Sequence, residues 1–169
     1  MVSMRHQTQE ARRQRTQRTM PRSTLQPLAM EQLRHPDARW LIAYSQSKAA
    51  PDGVLEHDSL LPQETRNMAA HLMMLEPTGK PEELRYQVVG EAITARFGIN
   101  LTGRTLPLTT AGGWAPAMRQ ALQERHPIAL TGQVPGGHES WARLEALIMP
   151  VTHPGGGTGI LAGLFFLQS

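Results

Sequence analysis

RYQVVGEAITARFGINLTGR, residues 85–104, sets a strand-like run against a helix-like run and punctuates the two with Gly90, Gly98 and Gly103. Either the glycines cradle a phosphate or they let a small domain fold back on itself. A phosphate loop brings backbone amides to a helix N-terminus, with glycines spaced as G-x-G-x-x-G or followed by Gly-Lys-Ser/Thr. Here the spacings are eight and five, and the stretch holds no lysine. The glycines therefore read as turn chemistry: Gly90 between strand and helix, Gly98 closing the helix, Gly103 shaping the loop beyond. PGGGTG, residues 154–159, fails the same test, because it joins two strands and no helix follows it.

Upstream, HLMML (71–75) and LRYQVV (84–89) flank a Pro- and Gly-bearing octet and read as a hairpin. Residues 51–65 read as a loop entering a helical turn near 62–69. Earlier still, Pro36 and Asp37 stand where a first helical turn tolerates proline and favours an acid, which predicts a helix over 36–48. Its Trp40, Leu41 and Tyr44 share a face with Leu33 a turn or two before. Downstream, GGWAPAMRQALQERH spaces Trp114, Met118 and Leu122 by fours along one helix face.

The last third, PIALTGQV, ESWARLEALIMPV and GILAGLFFL separated by glycine-rich turns, reads as an antiparallel three-strand meander. In the middle strand Ala142, Leu144, Ala146 and Ile148 form an apolar face, and Trp141, Arg143, Glu145, Leu147 and Met149 a mixed one. The final strand is apolar on both faces, as a strand covered from both sides must be. The order of elements predicts an α+β fold: a five-stranded antiparallel sheet with helices on one face and the N-terminal helix covering the other.

The chain has 169 residues, enough for one domain with a proper core. Residues 1–26 carry six arginines against Glu10, leaving 11 basic and 13 acidic residues for the remainder, so the net charge of +3 belongs to this segment. Poor in large apolar residues, residues 1–26 read as a disordered basic tail ahead of a domain at 27–169. Such charge also makes the tail a candidate nucleic-acid-binding arm. No apolar run approaches the roughly 18 residues of a membrane span, and the N-terminus lacks the apolar block of a secretory signal, so a cytoplasmic location is expected. The absence of cysteine excludes disulfides, thiolate metal sites and cysteine nucleophiles.

With this order in place, the opening stretch resembles the hallmark segment of a bacterial group of small PAS-domain proteins, and the resemblance extends over about residues 35–166. The group's pattern falls on Tyr86, Gly90, Ile93, Phe97-Gly98 and Leu101-Thr102-Gly103. Its acidic position is Asn100, which keeps the local acceptor role and loses the charge. The resemblance implies a sensory or protein-interaction fold with a space between helices and sheet for a small ligand, in a stand-alone signalling module acting through a partner protein. The light-sensing flavin type needs a cysteine, and a haem type an axial histidine on a pocket helix, which His71 and His126 do not supply on this reading. A non-covalent flavin or haem is the cofactor alternative, and none is required.

The candidate ligand cavity comprises Tyr86, Ile93, Phe97, Leu106, Trp114, Met118, Leu130, Thr131, Leu144, Ile148 and Phe165. Trp40, Tyr44, Trp141, Leu147 and Met149 form a candidate interface for a homodimer or partner. No histidines stand at i, i+3 or i, i+4, and His138 and His153 are separated by a strand of about 14 residues at roughly 3.3 Å each, some 45 Å. His126 and His153 are expected at one end of the sheet as a weak pair, so no metal site is expected. No G-x-S-x-G or paired-carboxylate arrangement appears, and the expectation is a module without catalysis. A nucleic-acid-associated regulator using residues 1–26 is the alternative, and a small enzyme the third reading.

Overall fold

A computed structural model describes residues 24–135 and 141–167. The strands are β1 (Thr24–Leu28), β2 (Leu55–Glu56), β3 (Leu72–Pro77), β4 (Glu83–Val89), β5 (Thr105–Pro107), β6 (Ile128–Pro135), β7 (Trp141–Thr152) and β8 (Thr158–Phe166). The α-helices are α1 (Pro36–Lys48), α2 (Pro62–Thr65), α3 (Glu91–Phe97) and α4 (Ala115–Glu124), with short 3₁₀ turns between elements. The fold is α+β, built on one sheet in the order β1-β6-β7-β8-β3-β4-β5 with antiparallel neighbours, and β2 lies parallel beside the end of β7.

The expected five strands are the middle of that order, and the sheet is larger than five. Short strands β1 and β5 extend it at its two edges. The strand β1 also moves a boundary: Thr24, Leu25 and Gln26, assigned to the tail on composition, pair with Gln133, Gly132 and Thr131. Gly132 makes this pairing close, because a side chain there would occupy the position of the Thr24 carbonyl. Pro27 is tolerated because β1 is an edge strand. Residues 1–23 lie outside the described residues.

Strands β7 and β8 are covered on both faces, which is why their sequences are apolar with little alternation. On one face Leu144, Ala146, Ile148, Ile160, Ala162 and Leu164 pack with Ile93 of α3 and Met118 of α4. On the other, Leu147, Met149, Leu161 and Phe165 pack with Leu33, Leu41 and Tyr44. Full burial of a leucine such as Leu41 is worth about 1.5–3 kcal/mol. Gly163 lets α1 come this close, since a side chain there would collide with Leu41 and Phe165.

The start of α1 is pinned to the sheet by Glu145 of β7, which is 2% exposed. Its carboxylate accepts from the backbone N–H of Arg34 at 2.8 and 3.0 Å and of His35 at 2.7 Å. His35 then caps the helix, its Nδ1 accepting from the Asp37 N–H at 3.1 Å. A carboxylate and a side-chain acceptor thus meet amide groups at the helix start and just before it that no helical carbonyl pairs.

Candidate functional site

The residues of the opening stretch build one wall of a cavity of about 240 Å³ between the sheet and α3–α4. Ile93 and Phe97, four apart on α3, face Trp114 and Met118, four apart at the start of α4. Met73 of β3, Tyr86 of β4, Leu106 of β5 and Leu164 of β8 line the remainder, with Leu101, Thr110 and Ala111. Met73, Ile93, Met118 and Leu164 are buried, whereas Tyr86, Phe97, Leu106 and Trp114 are half-buried and Thr110 is exposed.

Local backbone chemistry places these side chains. Gly98 ends α3 in the left-handed region at φ +73°, with its N–H bonded to the Thr94 carbonyl at 2.8 Å. Gly90 has an ordinary extended conformation; glycine is needed there because the Ala69 and Ala70 carbonyls occupy the space a side chain would take. Its role is close approach rather than turning freedom. Asn100 Oδ1 accepts from the Thr102 N–H at 3.0 Å in an Asx turn. Between β3 and β4 the register shifts, with Met74 opposite Val88 and Leu75 opposite Tyr86. The extra residue keeps Leu84, Tyr86 and Val89 on the cavity side and leaves Val88 58% exposed.

Of the eleven lining side chains only Tyr86 ionises, and burial pushes its phenol above the usual range, so at neutral pH it is a hydroxyl donor. The Thr110 hydroxyl is bonded to the Pro107 carbonyl at 2.9 Å. The site offers apolar surface, aromatic rings and one phenol. That equips it to bind.

The structure brings Tyr86, Ile93, Phe97, Leu106, Trp114 and Met118 together as expected and separates the others. Leu130, Leu144 and Ile148 lie in the core on the same side of the sheet without lining the cavity. Phe165 belongs to the opposite face, its ring 5.2 Å from that of His35 and 5.9 Å from that of His71. The register sets this, because Leu144 pairs with Phe166, and Phe166 therefore packs on the cavity-side core. Thr131 lines a different concavity of about 480 Å³ with Arg34, Arg143 and Glu145. That space is larger, but both oxygens of its buried carboxylate are already engaged with backbone N–H groups.

The candidate interface does not form one face. Tyr44, Leu147 and Met149 are buried in the core beneath α1, while Trp40 and Trp141 are 42% and 46% exposed. Trp40 stacks on Tyr44 at 4.9 Å from the outer side of the helix, so it does not share the buried face with Leu41. Helical spacing put the residues near one another, but the helix turns Leu41 inward and Trp40 outward.

The histidines are also rearranged relative to expectation. His126 faces Glu124 at 3.3 Å, and the ring partner of His153 is His57, 5.1 Å away between centroids. Burial and the neighbouring His57 hold His153 below the usual imidazole range, against the opposing pull of Glu76. His153 Nε2 is buried without a hydrogen-bond partner. His71 donates from Nδ1 to the Leu164 carbonyl at 3.1 Å. His138 lies outside the described residues. Among the described residues no group of three or more His, Cys, Asp or Glu is placed to hold a metal.

Fold and site together define an α+β protein whose curled antiparallel sheet carries an apolar cavity on one face and a capping helix on the other. Comparison with protein-family models, curated proteins and solved structures found no match for this chain. Among the described residues no helix is long and apolar enough to cross a membrane.

Proposed function

We propose that the chain is a PAS-type sensory or protein-interaction module that takes a small ligand into the cavity under α3 and α4 and reports it to a partner protein in the cytoplasm, without catalysis. One observation carries this reading: Tyr86, Ile93 and Phe97 of the PAS-like stretch converge with Trp114 and Met118 around open space instead of closing it. The five central strands, with α3 and α4 on one face and α1 on the other, support the same reading. The lining supports binding over turnover, since it holds no acid–base pair. The test is a thermal-shift screen against a metabolite panel, using the wild type and an Ala111→Leu variant whose larger side chain occupies the cavity. A compound that stabilises the wild type and not the variant is expected. A flat response across the panel leaves docking without a ligand.

The charge of residues 1–26 favours a second reading as a nucleic-acid-associated regulator. Binding to DNA or RNA at two salt concentrations, with and without residues 1–22, which hold all six arginines and leave β1 intact, tests it; absence of binding at low salt ends it.

A further inference from the structure

The lining of the cavity restricts the ligand to a chemical class. Among the described residues the lining contains no carboxylate, ammonium, guanidinium or imidazole, so a charged ligand group would enter without a counter-charge from them, at a cost that small cavities do not recover. Three aromatic side chains, Tyr86, Phe97 and Trp114, line a space that also meets Met73 and Met118. Ring faces and edges favour another flat ring, and thioether sulfur packs favourably against aromatic edges. At interior packing density, about 240 Å³ holds a molecule of about ten heavy atoms, below the usual drug-sized pocket.

We propose that the cavity binds an uncharged, flat aromatic molecule of about ten heavy atoms that accepts a hydrogen bond from the Tyr86 hydroxyl. This rests on the cavity being a ligand site, as set out above, and adds the class of ligand. The neutral phenol of Tyr86 carries the hydrogen that an acceptor atom on the ligand would take.

Three matched probes test the class: benzamide, neutral and aromatic; benzoate, its charged counterpart; and cyclohexanecarboxamide, neutral without an aromatic ring. Binding to the full chain is followed by protein NMR shifts at the cavity. Benzamide is expected to bind with a dissociation constant of about a millimolar or below, reasonable for a ligand of this size. Benzoate and cyclohexanecarboxamide are each expected to bind at least about tenfold more weakly, and Tyr86→Phe is expected to weaken benzamide by about fivefold. Equal or tighter binding of benzoate or of the cyclohexane amide overturns the class and leaves the ligand site standing. Xenon separates the remaining failures, because it reports accessible apolar space without chemical selectivity. Xenon uptake without benzamide binding overturns the aromatic class alone; no uptake of either overturns the cavity reading itself.

Discussion

The two faces of the central strands β7 and β8 are built from similar residues and end in opposite conditions. Directly beneath α1 the sheet is closed: Leu41, Tyr44, Leu147, Met149 and Phe165 fill the contact, and Glu145 ties the start of the helix to the sheet. The α3–α4 face is left open, with a cavity at its β3–β4–β5 end. The difference lies in how the helices are attached. The helix α1 sits against a glycine, Gly163, and a buried carboxylate. The helix α3 is seven residues long and directly follows β4 through Gly90, whose backbone lies close against the Ala69 and Ala70 carbonyls. The contact beneath α1 is thus filled, and the space beneath α3 and α4 is not.

The sharpest way to break this contrast is Glu145→Ala. It leaves the part-buried Arg34 and His35 amide donors without their acceptor and is expected to cost about 2 kcal/mol in urea unfolding, with Glu145→Gln costing less because one carbonyl acceptor remains. Ala38, fully buried on the inner side of α1, comes next: Ala38→Leu overpacks a filled contact and is expected to cost about 2 kcal/mol. Both variants should leave occupation of the cavity intact.

A smaller effect is expected from pH, and on stability alone. His153 is held below its usual imidazole range in the folded chain, so the unfolded chain binds the extra proton more readily. Its contribution is therefore fully present above the ordinary histidine value near 6.5 and is lost as pH falls below it toward the lower folded value. Urea unfolding between pH 7.5 and 5 should show that decline, and His153→Gln should flatten it. No cavity side chain titrates in that range, so ligand affinity should stay level across it. The smallest expected change is Ala111→Leu, which enlarges a side chain into existing space and should leave stability within about 0.5 kcal/mol of the wild type while removing ligand binding. A loss as large as that of Ala38→Leu would mean that the cavity face is as tightly packed as its opposite.

Features governed by local sequence were legible in it. The helix expected over 36–48 is Pro36–Lys48, Gly98 closes α3, and the meander is β6–β7–β8. The wall of the cavity was legible for the same reason, since Ile93 with Phe97 and Trp114 with Met118 are neighbours by helical spacing. Features that depend on distant partners were not. The stretch TLQPL carries a proline and little apolar alternation, and it is a strand because β6 offers Gly132 opposite it. Phe165 and Phe166 alternate by rule, but only the pairing of Leu144 with Phe166 decides which of them turns toward α3. Glu145 looked like a polar residue on a mixed face because its partners lie 110 and 111 positions away. The pairing of His57 with His153 is concealed in the same way.

Native mass spectrometry of the protein purified from its native host addresses the central claim most directly, with wild type, Ala38→Leu and Ala111→Leu compared side by side. A non-covalent adduct of small mass is expected on the wild type and on Ala38→Leu and not on Ala111→Leu. A wild type without an adduct, or an adduct carried equally by all three proteins, would contradict that claim.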